Sequence, residues 1–412
     1  MKAIHTSDWH LGRRLGGRSR HDESAAFLDW LAETVRREQV SLLLVAGDVF
    51  DNGTPSGRTQ ELYYDFLFKA VSVGCRHIVI TGGNHDSPSL LDAPGTLLRR
   101  LGVHVMGAPG NVPSDEVIVL RDAAGKTEAV VCAVPYLPDR VLRTSEAGES
   151  PEDKNTRLLE GLRRHYAEVC GAGAEIKEAA GGGVPLITMG HLFAAGGKWS
   201  EGDGVRELSI GTILRVDASL FPPSVDYVAL GHLHLPQIVA GNEFIRYAGS
   251  PLPMGFGEAG QEKQVVLLDF EKNTPSVRSI PVPCFRELTR VAGTLPEILE
   301  RLTALRESGR EIWLEVVYSG DEFIPDLGDR IEELLDGSGL SLLILRTGPL
   351  PGAGKALPGD PAGEVFPDET GLLPVFDQYM EAHSVPEPDR EELRQTYREA
   401  VACLQEKERD AV

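Results

Sequence analysis

Asp8 and His10, Asp48, Asn84, His191, then His232 and His234 supply seven oxygen and nitrogen donors in order along the chain. Each lies where a short apolar run breaks into a cluster of Gly, Asn, Asp or His, which is where an α/β sheet presents functional groups beyond the carboxyl ends of its strands. Asp8-Trp9-His10 closes the first run, and residues two apart in an extended segment face the same side, so this carboxylate and imidazole can hold one ion together. Asp48, in Ala46-Gly47-Asp48-Val49-Phe50-Asp51, offers two carboxylate oxygens that can bridge two ions. Gly82-Gly83-Asn84-His85-Asp86 places an amide oxygen, an imidazole and a carboxylate on one tight turn, and the Gly pair lets the backbone fold close to the ions. Gly190-His191 and Gly231-His232-Leu233-His234 repeat the order strand, Gly, His. A lone histidine at a strand end is more often structural. Five such breaks in the order of one sheet edge read together as a binuclear metal site.

The chemistry predicted is phosphoester hydrolysis. Two ions ~3.5 to 4 Å apart acidify and orient a water and offset charge on the phosphoryl and leaving oxygens. Imidazole, carboxylate and amide donors without thiolate favour Mn²⁺, Fe or Zn²⁺, and two Mn²⁺ ions are the expectation. A proton donor is still needed at the leaving oxygen, and His85, beside Asn84 on the same turn, is the predicted general acid. Asp86 is expected to accept a hydrogen bond from a neighbouring histidine and hold its tautomer. Its alternative is a turn-capping Asx role.

These donors need a sheet to position them. Residues 2 to 7 read as a buried strand, Asp22 to Glu38 as an amphipathic helix, Ser41 to Ala46 as a second strand, Arg58 to Val73 as a second helix and His77 to Thr81 as a third strand. This alternation implies βαβ units with a mostly parallel core. Further strand signals near Ala129 to Val134, Val184 to Met189, Tyr227 to Leu230 and Val265 to Phe270 make the sheet system large and sandwiched. Pro151 to Cys170 reads as a helix, and the Gly- and Ala-rich stretch that follows, to Gly183, as a tolerant surface insertion. The predicted class is therefore α/β, a β-sandwich flanked by helices over residues 1 to 283. After Pro283 the pattern restarts as a small α+β unit over residues 284 to 347: strand, helix, strand, helix, strand. Residues 348 to 374 are rich in Pro, Gly and acids and read as a linker. Residues 375 to 412 read as a helical pair, Val375 to His383 and Arg390 to Glu406, the second amphipathic through Leu393, Tyr397, Val401 and Leu404. Two short helices beyond a linker bury little of their own surface, so a partner-docking role is predicted.

Composition bounds the partners. The N-terminus has no apolar signal core and no stretch reaches the roughly 18 to 20 apolar residues that span a bilayer, so a cytoplasmic protein with no membrane partner is expected. The five cysteines are scattered without a Cys-x-x-Cys pair, which indicates neither a disulfide framework nor a zinc ribbon. A formal charge of −21 argues at first against nucleic acid, whose phosphates are met by Lys and Arg. Its distribution changes that: residues 357 to 412 carry 14 acidic and 5 basic side chains, net −9, whereas Arg13, Arg14, Arg18 and Arg20 follow the first metal motif with no acid among them. These four arginines leave a nucleic-acid partner open. Gly348 to Lys355 superficially suggests a phosphate-binding loop, but its Gly spacing is off by one and Ala356 stands where Ser or Thr is required, so no ATP site is expected in this chain.

The order Asp-x-His, Gly-Asp, Gly-Asn-His-Asp, Gly-His, Gly-His-x-His resembles that of the calcineurin-like metallophosphoesterases. The flanking words Asp8-Trp9-His10-Leu11-Gly12, Gly47-Asp48-Val49-Phe50-Asp51, Ala194-Ala195-Gly196-Gly197 after His191, and Tyr247-Ala248-Gly249-Ser250-Pro251 are similar to those of the SbcCD-type bacterial nuclease subunits, over the whole chain. The resemblance implies that Asp8, His10, Asp48 and His234 hold one ion and that Asp48, Asn84, His191 and His232 hold the other, with Asp48 bridging. It also implies an exonuclease and endonuclease acting on double-stranded DNA ends and hairpins with an SMC-like ATPase. In such a complex the C-terminal helices would dock the ATPase, the α+β unit would cap the DNA side, Arg13, Arg14, Arg18 and Arg20 would contact the DNA phosphates, and two nuclease subunits would pair as a homodimer. Asp51 departs from the pattern, since archaeal and eukaryotic relatives usually carry a phosphate-contacting His there. Two rivals remain: a stand-alone small-molecule phosphodiesterase or phosphatase on the same site, and a non-catalytic interaction subunit with structural metals.

Overall fold

The computed structural model describes residues 1–144, 149–193, 218–271, 275–320 and 324–347, together with Arg390, Leu393 and Arg394. The chain divides into two compact units, Met1–Ala353 and Gly354–Val412. The linker and both C-terminal helices expected from the sequence lie outside the described residues, apart from those three helical positions.

Within the first unit two six-stranded sheets face each other. The first runs, in spatial order, Ser276–Pro281, Gln264–Asp269, Lys2–Thr6, Leu42–Ala46, His77–Thr81 and Val103–Met106. The last four strands are parallel, and the two at the other edge are antiparallel. The second runs Gln237–Val239, Asn242–Tyr247, Tyr227–Gly231, Leu186–His191, Thr127–Ala133 and Val117–Arg121, parallel through its centre and antiparallel at both edges. The alternation of side chains along each strand explains the layers. In Leu42-Leu43-Leu44-Val45-Ala46, Leu43 and Val45 pack with Phe27, Leu31, Phe66 and Leu67 of the helices His21–Glu38 and Gly57–Ser72. Leu42, Leu44 and Ala46 meet Ile187, Met189, Tyr227 and Ala229 of the opposite sheet. A strand buried on both faces is apolar at every position, as this one is. The other side of the second sheet is covered by the helix Pro151–Ala179 through Leu158, Leu162, Tyr166 and Val169.

That helix corrects one expectation. It does not stop near Cys170 but continues through Gly171 and Gly173 to Ala179, where a surface insertion was expected. The reason is packing: a Cβ at Gly173 would sit 2.6 Å from Cys132 Sγ and 2.9 Å from Leu186 Cδ1, so the glycine lets the helix lie close on the sheet. The short or half-exposed strands Val103–Met106, Val117–Arg121, Asn242–Tyr247 and Ser276–Pro281 were not anticipated.

Residues 287–347 form a three-stranded parallel sheet, Glu287–Gly293, Ile312–Tyr318 and Leu340–Thr347, connected by the helices Leu295–Glu307 and Leu327–Leu335. One face buries Leu314 and Val316 against Ile298, Leu302 and Ile331 of those helices. The other face carries Leu288 and Trp313, which pack with Leu15 and Phe256 of the two-sheet body. Leu15 belongs to a small hairpin, Arg14–Leu15 with Arg18–Ser19, that follows the first Asp-x-His motif. The αβ unit is thus seated on elements that adjoin the strand ends.

Candidate metal centre

All seven donor residues converge at the carboxyl ends of the central strands. Beyond those ends the segments stay hydrogen-bonded: Asp8 N–H donates to the Gly47 carbonyl at 3.0 Å, and His10 N–H to the Asp48 carbonyl at 3.0 Å. Asp8, His10, Asp48 and His232 have positive φ angles of 53°, 45°, 49° and 104°. That region disfavours side-chain-bearing residues, and such strain persists where the surrounding structure imposes it, most often at functional sites. Two glycines make the approach feasible. A Cβ at Gly83 would lie 2.1 Å from Asp48 Oδ1, and one at Gly231 would lie 1.7 Å from the Ala46 carbonyl oxygen.

The donors form two adjoining groups. His10 Nε2 and His234 Nε2 are 3.2 Å apart. Asn84 Oδ1 lies 3.0 Å from His191 Nε2 and 3.1 Å from His232 Nδ1. Asp48 Oδ2 stands between the groups, 3.6 Å from His10 Nε2 and 3.3 Å from His191 Nε2. Asp8 accepts from Ser7 Oγ and from the His232 backbone N–H, at 2.5 and 2.9 Å. Donor atoms of Asp8, His10 and His234 all lie within 4.8 Å of one another, as do those of Asp8, Asp48 and His191 and those of His10, Asp51 and His85. Asp8, His10, Asp48, His191, His232 and His234 are buried, whereas Asn84 and His85 are half-buried and open the site to solvent.

This donor set fits divalent ions. His191 Nδ1 contacts the Ala46 carbonyl at 3.0 Å, which directs Nε2 inward. His10 Nδ1 and His234 Nδ1 are each 3.4 Å from a carboxylate, Asp51 Oδ1 and Glu258 Oε1, which turns both Nε2 atoms inward as well. Imidazole nitrogens, a carboxylate and an amide oxygen gathered this way in a buried site are the donor types a divalent ion takes. Burial works to lower the His191 pKa, but the Asp48 carboxylate outweighs it and raises the imidazole to about 9. Burial dominates at His232, which is pushed down to about 3.

His85 contacts the Asp51 carbonyl through Nδ1 at 2.9 Å, and its backbone N–H donates to Asp48 Oδ1 at 2.9 Å. Its ring stands edge-on to His10, with centroids 4.9 Å apart. Asp86 does not meet a histidine. Its carboxylate accepts from the backbone N–H groups of Val49, Phe50 and Gly83 at 3.1, 2.9 and 2.8 Å, which ties the Asp48 segment to the Asn84 turn.

The four arginines separate. Arg14 and Arg18 are exposed on the hairpin, and Arg18 reaches Ser341 Oγ at 3.4 Å. Arg13 is half-buried at the site, donating to Asp51 Oδ1 at 3.0 Å and to the Met254 carbonyl at 3.1 Å. Arg20 does not fulfil the expectation of a DNA contact. It is 3% exposed, its guanidinium is paired with Glu23 at 2.6 Å and it donates to the Pro253 carbonyl, so no face is left for a phosphate.

Sequence reasoning missed Glu258 and Lys263. Glu258 is 1% exposed; besides His234 it holds the Lys263 ammonium and accepts from the Met254 N–H at 2.9 Å. Lys263 also donates to the His234 carbonyl at 3.2 Å and to Ser250 Oγ at 3.1 Å. Burial disfavours the Glu258 carboxylate, but His234 and the Lys263 charge outweigh it and hold it at about 2. The available signal was a lone acid and a lone lysine downstream of Tyr247-Ala248-Gly249-Ser250-Pro251, and neither has the spacing of a motif.

A family model described as "Calcineurin-like phosphoesterase" matches residues 1–236, and one described as "Type 5 capsule protein repressor C-terminal domain" matches residues 284–366. The chain is 36% identical over 353 residues to the SbcD protein of the SbcCD nuclease from Escherichia coli (strain K12), covering 84% of this chain and 85% of that protein. It is 42% identical over 316 residues to the SbcD protein of Rhodobacter capsulatus, covering 74% and 76%. The SbcD protein of Bacillus subtilis (strain 168) is 35% identical over 271 residues, covering 65% and 66%. Donor set, strand-end geometry and these matches agree: the chain belongs to the calcineurin-like phosphoesterase family and, within it, to the SbcD nuclease subunits.

Proposed function

We propose that this chain is the metal-dependent nuclease subunit of an SbcCD-type complex, hydrolysing phosphodiester bonds at DNA ends and hairpins alongside an SMC-like ATPase. The observation that carries the reading is the convergence of five other buried donors and Asn84 about Asp48, whose Oδ2 lies between His10 and His191. In this reading Asp8, His10, Asp48 and His234 hold one divalent ion and Asp48, Asn84, His191 and His232 the other, manganese being the first choice for ligands of this type. Such ions, when bound, acidify water and offset the negative charge that develops on phosphoryl oxygens.

The protein groups do the remaining work. Asn84 and His85 form the accessible side of the site, so a phosphodiester approaches over their turn. With Nδ1 engaged by the Asp51 carbonyl, His85 is left with Nε2 to serve the leaving 3′ oxygen, which requires a proton. Because its backbone N–H is bonded to Asp48 Oδ1, the acid and the bridging carboxylate are held in one register. Arg13, Arg14 and Arg18 meet the DNA backbone in this proposal, while Arg20 anchors their loop. The αβ unit of residues 284–347 caps the DNA side, and the segment 375–412 docks the ATPase. A homodimer of nuclease subunits is also proposed; among the described residues, Phe68 and Leu97 are the most exposed large apolar side chains, at 67% and 66%. No helix among the described residues is long and apolar enough to cross a membrane, and we place the complex with the nucleoid in the cytoplasm.

The test is Mn²⁺-dependent cleavage of an end-labelled DNA hairpin, with and without the ATPase partner, alongside His85→Ala. Cleavage lost in the variant while two ions per chain are retained supports both the nuclease and the acid role. Absence of DNA cleavage with hydrolysis of small phosphodiesters preserved would replace the nuclease with a small-molecule phosphodiesterase.

A further inference from the structure

Two carboxylates outside the donor set stand behind the His10 and His234 pair. Asp51 Oδ1 is 3.4 Å from His10 Nδ1, and Glu258 Oε1 is 3.4 Å from His234 Nδ1. The two are joined. Arg13 donates to Asp51 at 3.0 Å and to the Met254 carbonyl at 3.1 Å, and the Met254 N–H donates to Glu258 Oε2 at 2.9 Å. The path His10, Asp51, Arg13, Met254, Glu258, His234 therefore closes into a ring, because His10 and His234 meet at 3.2 Å. Among the described residues, His191 and His232 have no carboxylate of this kind: the outer nitrogen of His191 meets the Ala46 carbonyl instead.

We infer that Asp51 and Glu258 are paired positioning residues, linked through Arg13 and the Met254 backbone, that orient His10 and His234 toward one of the two ions and leave the other ion's ligands untouched. This rests on the two-metal reading above. At 3.4 Å neither contact is a closed hydrogen bond in the metal-free chain; drawn together when an ion takes the inner nitrogen, a carboxylate that accepts from the outer N–H of an imidazole fixes its tautomer, aims its other nitrogen and raises its basicity as a ligand. Neither carboxylate is held by that contact alone. Lys263, itself bonded to Ser250, fixes Glu258 from behind, and Arg13 fixes Asp51. Asp51 is thereby an anchor for Arg13 and His10. The ring also touches the αβ unit. Phe256, in the same short turn as Glu258, and Leu15, two residues after Arg13, both pack in the cluster that holds Trp313 and Leu288.

The experiment is Mn²⁺ titration of the full chain, unaltered and as Asp51→Ala and Glu258→Gln, by calorimetry and by the electron paramagnetic resonance of the coupled ion pair. Asp51 is partly exposed and Gln preserves the shape of Glu258, so both variants can be compared as folded proteins of known melting temperature. The expected result is two ions bound by the unaltered chain and, in each variant, one step weakened roughly 10- to 100-fold with the other unchanged and the coupled signal lost. Asp51→Ala and Glu258→Gln combined should weaken the same step, without touching the second. Wild-type affinity for both ions in the variants, or equal loss of both, would overturn the brace. Failure of the unaltered chain to bind Mn²⁺ would overturn the metal reading and the brace with it.

Discussion

The Nε2 atoms of His10 and His234 face each other across 3.2 Å, brought together from positions 224 residues apart. Both rings are buried, and both turn their outer nitrogen toward a carboxylate, so two potential ligand atoms meet away from bulk solvent. A ligand that binds only the native state stabilises it by mass action. At an ion concentration 100-fold above Kd the gain is about 2.7 kcal/mol per site. For domains of ~150 to 250 residues each kcal/mol moves Tm by about 2 to 4 °C, and residues 1–283 make a larger one, so each filled site is expected to raise Tm by roughly 5 °C. Thermal scans of EDTA-treated protein with and without added Mn²⁺ measure this, and a Tm indifferent to the ion would sink the two-metal assignment.

His191 predicts how that binding responds to pH. Asp48 raises its pKa from 6.5 to about 9 in the metal-free chain, so at pH 7 the imidazole carries a proton that an incoming ion must displace. Protonation competes with the metal, and the competition disappears as pH rises through the raised pKa. Apparent Mn²⁺ affinity should therefore climb about tenfold per pH unit between pH 7 and 9 and then level off. Calorimetry at pH 7 in two buffers of different ionisation enthalpy should count close to one proton released through this residue. A release that is the same in His191→Ala would show that the proton comes from elsewhere.

The donors were legible because their chemistry is carried by residue type and their place by strand-end punctuation, both of which a sequence displays. What holds them was not. The positive φ angles at Asp8, His10, Asp48 and His232 come from pairing with segments tens to hundreds of residues away, and no local propensity announces them. Glu258 acquires its meaning only when the turn at Phe256–Glu258 is laid beside His234. The arginine run shows the opposite failure. Four like charges in eight residues look alike in sequence, yet the hairpin turns Arg14 and Arg18 outward while Arg20 folds in upon Glu23. The helix Pro151–Ala179 was cut short because glycine reads as a breaker, whereas Gly173 is there for close packing on Cys132 and Leu186.

Gly83 should be among the least replaceable glycines of the site. A Cβ there would stand 2.1 Å from Asp48 Oδ1 and 2.3 Å from the Asp48 backbone N, and backbone cannot swing aside as a side chain can. Either Asp48 or the Asn84 turn must shift, and both carry proposed ligands. Displacements of about 1 Å near reacting groups cost on the order of 100-fold in rate, so Gly83→Ala is expected to lose at least that much nuclease activity along with metal affinity. Gly241, where an added Cβ meets nothing within 4 Å, provides a control whose Ala variant keeps its activity despite its strained φ of 74°. Equal activity in Gly83→Ala and the unaltered chain would refute the close approach.

His5 makes the fold itself sensitive to acid. It lies between the two sheets, with Nδ1 3.0 Å from the Tyr227 hydroxyl and Nε2 3.1 Å from the Leu230 carbonyl. Burial lowers its pKa from 6.5 to about 3, partly offset by the bond to Leu230. The sign follows from linkage: between these values the unfolded chain takes up a proton and the native protein does not, so stability is fully present above pH 6.5 and is lost as pH falls toward 3. The limiting slope for one such group is about 1.4 kcal/mol per pH unit. Urea denaturation of the Mn²⁺-loaded protein at several pH values should show that limb. His5→Gln keeps a donor and an acceptor of similar reach but no titrating group, so it should be shallower by up to that slope while matching the unaltered chain's pH response above pH 7. Identical acid limbs in the two proteins would mean that His5 takes up its proton in the folded state, and that the link between the sheets tolerates a charge.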